Sequence, residues 1–212
     1  MSVTHSSSHE DEIFIVDDDP MICDLLDMAF RSEGYRVTSF TDGAAFNAVA
    51  RSRAPACIIL DVFMPGRSGL ELLKDIDAHN YGAPIIVMSG KASIPMAVEA
   101  VKEGAFDIIE KPFALDAIVA RVRGVTDAWS RRQANGSGAE TTPMEFPGCQ
   151  KLTRREAEVL AEIMAAASNK EAGCHLGISP RTVEVHRARI MMKLGAKNTA
   201  DLIRIALTHR PH

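Results

Sequence analysis

The chain has 212 residues, of which 46% are hydrophobic and 25% charged, proportions of a globular protein with room for one large domain or two compact ones. No apolar run approaches the roughly 20 residues of a membrane-spanning helix, and the polar start, rich in Ser and His, does not read as a secretory leader, so a membrane protein is excluded and the cytoplasm is the expected compartment. The net charge of −4 is unevenly divided: residues 151–212 carry eleven Lys and Arg against six Asp and Glu, a net of +5, and the remainder nets −9, which suits a polyanionic partner at the basic end.

In chain order, Ile13-Phe14-Ile15-Val16 is a short apolar run that ends in acids. Asp19-Pro20 supplies an N-cap and a first-turn proline, and Ile22, Leu25, Leu26 and Ala29 recur at helical spacing until Gly34. Tyr35 to Phe40 predicts a weaker strand. The apolar form returns in Ala56 to Leu60 before Asp61, in Pro84 to Met88 before Ser89, and in Phe106 to Ile109 before Glu110-Lys111. Runs this short and this apolar suit strands buried on both faces of a parallel sheet. With helices predicted near 42–52, 68–79, 94–103 and 114–131, β-α recurs five times, and the expected class is α/β, a doubly wound five-stranded parallel sheet.

From Arg131 periodicity is lost through Gly136, Gly138, Pro143 and Pro147, which predicts a flexible linker. After it the strand signal vanishes. Thr153 to about Ala166 carries Val159, Leu160, Ile163 and Met164 on one face, with Thr153 and Glu156 spaced as a capping box. Asn169 to Leu176, Ser179 to Leu194 and Asn198 to His209 complete a small all-α four-helix domain, and its second and third helices, joined by Gly177-Ile178, have helix-turn-helix spacing. The domains read as 12–125, a helix extension and linker over 126–149, and 150–210. Four cysteines lie scattered without a close pair, which argues against zinc or a disulfide framework; Cys23, Cys57 and Cys174 are expected in cores and Cys149 in the linker.

In an open parallel sheet the reactive crevice lies at the carboxyl ends of the strands. The strand reading places Asp17, Asp18, Asp61, Ser89 and Lys111 there. Adjacent carboxylates raise one another's pKa unless neutralised, and a divalent cation held through oxygen neutralises them. Such a set permits phosphoryl transfer to a carboxylate, with one Asp attacking, metal and Lys facing the phosphoryl oxygens, and the hydroxyl donating a hydrogen bond. A hydrolase of the aspartyl-phosphate type would want a second acid two residues after the nucleophile, where Phe63 stands.

Residues 12–125 resemble the receiver domain of bacterial two-component response regulators, through Val16-Asp17-Asp18-Asp19-Pro20, Leu60-Asp61-Val62-Phe63-Met64-Pro65-Gly66, Met88-Ser89-Gly90 and Glu110-Lys111-Pro112-Phe113 in order. The resemblance implies a flavodoxin-like fold, Asp61 as phosphoacceptor, and Mg²⁺ held by Asp17, Asp18, Asp61 and the main-chain carbonyl of Phe63. It further implies Ser89 as the switch hydroxyl, Lys111 as the phosphate-contacting lysine and a cis Lys111-Pro112 bond. The family's aromatic switch position, three residues before the lysine, is here Ile108.

Residues 150–210 resemble the helix-turn-helix of LuxR and NarL/FixJ-type regulators, through Leu152 to Leu160, Ser168-Asn169-Lys170-Glu171 and Ile178 to Arg187, with the FixJ branch nearest. Ala166 replaces a usual Gly, and Gly173 interrupts the second helix at a cost of about 1 kcal/mol relative to Ala. On the third helix Val183, Ile190 and Leu194 form a buried stripe, which turns Glu184, Arg187, Ala188 and Met191 toward base edges; Lys170, Arg181, Thr182 and Lys193 suit phosphate contacts. The implied partners are a sensor histidine kinase, double-stranded DNA and RNA polymerase, with a homodimer forming on phosphorylation around Met96, Val98 and Ile108. The implied protein is a regulator rather than an enzyme, its receiver only assisting its own phosphorylation and dephosphorylation. The second reading is a regulator that works unphosphorylated, or a phosphate sink.

Overall fold

The computed structural model describes residues 12–90, 94–134 and 150–208; Lys91, Cys149, the stretch 135–149 and His209 lie outside them. The chain divides into two compact units, Met1–Trp129 and Ser130–His212.

In the first unit, five parallel strands, β1 (Glu12–Val16), β2 (Arg36–Phe40), β3 (Cys57–Asp61), β4 (Ile85–Ser89) and β5 (Asp107–Glu110), lie in the order β2-β1-β3-β4-β5. The expected doubly wound sheet is observed, and its order reverses between β1 and β3, which opens a crevice at their carboxyl ends. Every residue of β1, β3 and β4 is buried, whereas the edge strand β2 buries only Val37 and Phe40. Continuous apolar runs are therefore needed only where helices cover both faces. Phe40 meets Phe14 and Phe46 edge-on, at 5.4 and 5.7 Å between ring centres, and closes the β2 side of the core.

The helices α1 (Pro20–Ser32), α2 (Gly43–Ala50), α3 (Gly69–Asp75) and α4 (Ile94–Lys102) connect the strands, and α5 (Leu115–Ala134) follows β5. Asp19 caps α1 by accepting from Met21 N–H at 2.9 Å, and Ser68 with Glu71 forms a capping box on α3. The helix expected over 68–79 stops early, because the chain turns through Asp77 at a φ of 51°. The last helix, by contrast, runs on to Ala134. The Lys111-Pro112 bond is cis.

The second unit consists of α6 (Arg154–Met164), α7 (Asn169–Leu176), α8 (Pro180–Leu194) and α9 (Thr199–Thr208) among the described residues. Each of the first three starts on a hydroxyl cap, Thr153, Ser168 or Ser179. Ala166 ends the α6 turn at a φ of 59°, a left-handed conformation that costs a residue with a Cβ about 1 kcal/mol. Gly173 has a packing reason that its helix propensity hides. A Cβ there would stand 2.6 Å from the Ile178 carbonyl oxygen, so glycine is what lets α7 approach the turn into α8. Cys174, expected in the core, is exposed on α7 because its neighbours Ala172 and Gly173 take the inward positions; Cys23 and Cys57 are buried as expected.

Candidate functional site

Asp17 and Asp18 follow β1, Asp61 ends β3, Ser89 ends β4 and Lys111 follows β5, so all five lie at the same end of the sheet. Carboxylate oxygens of Asp17, Asp18 and Asp61 fall within 4.8 Å of one another. Lys111 Nζ donates to Asp17 Oδ2 at 2.6 Å and stands 3.2 Å from Asp61 Oδ2. Asp17 Oδ1 accepts the Asp19 N–H at 3.0 Å, which engages both oxygens of that carboxylate. Asp61 Oδ1 is buried with no hydrogen-bond partner among the described residues.

Burial lifts the Asp61 pKa above the ordinary carboxylate value; Lys111 opposes the shift and the Asp17 charge adds to it. Burial also works against the Lys111 ammonium, but its hydrogen bond to Asp17 and the attraction of both carboxylates outweigh that and raise its pKa. The ammonium therefore stays charged at neutral pH. Three carboxylates against one ammonium leave an excess of negative charge, and the donors are all oxygen with one buried oxygen unpartnered. That is the chemistry of a pocket for a hard divalent cation. Ser89 is buried on the neighbouring strand, where Met88 is the register partner of Asp61.

Gly69 packs against the backbone of Asp61 and was not among the residues that sequence reasoning picked out. It opens α3 so close to β3 that a Cβ would lie 2.2 Å from the Asp61 carbonyl oxygen. The only sequence signal was Ser68 as a cap directly before a glycine. Ile108 is buried in β5 opposite Val87. It thus leaves the solvent-facing set of Met96, Val98 and Ile108, since a side chain inside the sheet core cannot meet a partner. Phe106 lies just before β5 with its ring edge-on to Trp129 at 5.9 Å.

On α8 the expected inner stripe of Val183, Ile190 and Leu194 is buried. Glu184 and Ala188 face solvent, while Arg187 and Met191 lie half-buried at the edges of that face. Met192, not singled out by periodicity, continues the stripe 184-188-192 and is 72% exposed. Lys170 is exposed and Arg181 half-exposed, as phosphate contacts require. Two residues of that set are corrected. Thr182 is buried, its hydroxyl hydrogen-bonded to Ser179 Oγ at 2.9 Å within the helix cap. The Lys193 side chain is only 13% exposed and its ammonium lies 2.6 Å from Glu156, so its charge is spent inside the unit.

Comparison with known proteins settles the family. Residues 13–123 match the response regulator receiver domain, and residues 150–206 match the luxR family of bacterial regulatory proteins. The transcriptional regulatory protein FixJ of Azorhizobium caulinodans is 39% identical over 195 residues, 92% of this chain and 91% of that protein. The chain belongs to the response regulators. The C4-dicarboxylate transport transcriptional regulatory protein DctR of Rhodobacter capsulatus is 38% identical, over 91% of this chain and 98% of its own. The crystal structure of full-length FixJ from B. japonicum superposes with a TM-score of 0.52 at 35% identity, covering 92% of this chain and 95% of that one. This response regulator thus joins a phosphoacceptor receiver, which takes its signal from a histidine kinase, to a DNA-binding transcription-control domain. Among its described residues, no helix is long and apolar enough to cross a membrane.

One consequence concerns the lifetime of the phosphorylated state. Phe63 stands two residues beyond Asp61 and is 58% exposed. An apolar ring cannot orient an attacking water by hydrogen bonding, and orientation is much of what accelerates phosphoryl hydrolysis. Phe63→Asn is expected to lose phosphate about two- to tenfold faster, the worth of one hydrogen bond to that water. Following phosphate loss from purified parent and variant checks this, and equal rates would show that Phe63 does not govern the site.

Proposed function

We propose that Asp61 accepts a phosphoryl group from the phosphohistidine of a sensor kinase, and that this modification drives a homodimer that binds double-stranded DNA and contacts RNA polymerase in the cytoplasm. The observation that carries the reading is the Lys111 ammonium seated between Asp17 and Asp61 in an otherwise acidic pocket. Asp61 attacks phosphorus, the bond from phosphorus to the imidazole nitrogen breaks, and the imidazole leaves with the electron pair. Lys111 shifts its contact from the Asp61 carboxylate to a phosphoryl oxygen, and the Ser89 hydroxyl donates to another. Mg²⁺, held by the carboxylates of Asp17, Asp18 and Asp61 and the main-chain carbonyl of Phe63, would supply positive charge facing the phosphoryl group. The receiver modifies nothing but its own aspartate, and in that sense the protein is a regulator rather than an enzyme.

The half-buried Met96 and Val98 of α4 are the side chains we assign to the dimer surface. A single helix-turn-helix makes few base contacts, and a dimer reads two half-sites at once. Phosphorylation by a small phosphodonor with Mg²⁺ is expected to convert monomer to dimer in sedimentation and to tighten binding to a selected DNA site by about a hundredfold. A monomer after full phosphorylation would remove the dimer surface. Equal DNA affinity in both forms would favour the regulator that works unphosphorylated.

A further inference from the structure

The base-reading candidate Glu184 does not stand alone on α8. Asn169, the first residue of α7, reaches across to it, Nδ2 to Oε1 at 3.3 Å. A carboxylate only accepts, so the amide presents its NH₂ to Glu184. The backbone on the Asn169 side of this bond is held. The capping box of Ser168 and Glu171 fixes the turn from which Asn169 emerges, the Ser168 N–H donating to Glu171 Oε2 at 2.9 Å and the Glu171 N–H to Ser168 Oγ at 3.3 Å. Gly173 brings α7 against the turn into α8, so the distance between the two helices is set by backbone contact rather than by long side chains.

An exposed Glu samples many rotamers, and ordering such a side chain on DNA costs entropy that weakens discrimination. A neighbour that already orders it removes that cost before DNA arrives. The bond to Asn169 occupies one direction at Oε1 and leaves Oε2 to accept a cytosine amino group, the hydrogen bond a carboxylate makes in the major groove.

We propose that Asn169 is a positioning residue for sequence readout: from α7 it holds Glu184 in its reading orientation without itself contacting a base. This rests on the reading of Glu184 as a base contact, and the experiment separates the two. DNA would be selected from a random pool with the full-length phosphorylated protein, its Glu184→Ala and Asn169→Ala variants, the double variant, and Asn169→Gln, which keeps the amide. Glu184→Ala should relax preference at one base pair of each half-site. Asn169→Ala should relax that same base pair about three- to tenfold, the worth of one hydrogen bond, with the salt dependence of binding unchanged. The double variant should be no more relaxed than Glu184→Ala alone, and Asn169→Gln should recover part of the preference.

If Glu184→Ala relaxed a base pair that Asn169→Ala left intact, the positioning role would be overturned with the Glu184 reading still standing. If Asn169→Ala instead lowered the salt slope by about one, Asn169 would be a phosphate contact, which also overturns it. No change at any base pair in Glu184→Ala would remove the reading itself, and the proposal with it.

Discussion

Replacing Asp61 with asparagine is expected to abolish phosphoryl incorporation from a small phosphodonor in the presence of Mg²⁺. Asparagine has nearly the shape of aspartate, so β3 and its packing survive while the nucleophilic oxygen is lost. The neighbouring Asp17 carboxylate is worse placed to take over. Asp17 has both oxygens engaged, one by Lys111 at 2.6 Å and the other by the Asp19 N–H at 3.0 Å. Asp61 has a buried oxygen without a hydrogen-bond partner among the described residues and an ammonium 3.2 Å from the other. The measurement is base-labile phosphate on the intact protein, parent against variant. Undiminished labelling of Asp61→Asn would place the acceptor elsewhere and sink the assignment of the pocket.

A second large effect is expected far from the phosphoacceptor, at Glu156. This side chain is fully buried, takes the Thr153 N–H at 2.7 Å as the reciprocal half of the α6 capping box, and faces Arg189 Nε at 3.3 Å and Lys193 Nζ at 2.6 Å. Glu156→Ala leaves two nearly buried cations without their counter-charge, a loss of about 3–5 kcal/mol by analogy with other broken buried pairs. A helical unit of this size has about that much stability in total. The DNA-binding unit should therefore be largely unfolded in the variant under conditions where the parent is folded.

Two probes separate the units. Far-ultraviolet circular dichroism reports helices of both, whereas the single tryptophan, Trp129, packs on Phe106 and reports the receiver. In urea the dichroism of Glu156→Ala should fall early while the fluorescence transition stays where the parent has it. Coincident curves at the parental midpoint would show that the triad adds nothing to stability.

Much of the receiver was legible because its pattern is local. Residues 13–16, 57–60 and 85–88 are apolar without interruption, a form that only a strand covered on both faces requires, and acids or hydroxyls directly after such strands fall in the crevice of a parallel sheet. Two start signals, Asp19-Pro20 and Thr153 with Glu156, opened helices within a residue of where they were expected, since capping involves neighbours in the chain. The errors lay where a polar residue's fate depends on something distant. Lys193 looked like a phosphate contact because its position on α8 is polar, yet its partner Glu156 is 37 residues away. Thr182, expected at a phosphate, spends its hydroxyl in the helix cap instead.

The two-part architecture, the strand ends that carry Asp17, Asp18, Asp61, Ser89 and Lys111, and the inward stripe of α8 can be read from the chain alone, because periodicity and caps are encoded within a few residues of where they act. It took the packed fold to reveal that Lys111 bridges Asp17 and Asp61, that Gly69 and Gly173 sit where a Cβ would strike a carbonyl oxygen, that Glu156 consumes the charge of Lys193, and that Asn169 reaches Glu184. Each of these is a contact between elements separated along the chain, and a hydrogen bond or a 2–3 Å approach depends on how whole helices and strands pack rather than on the residues beside it.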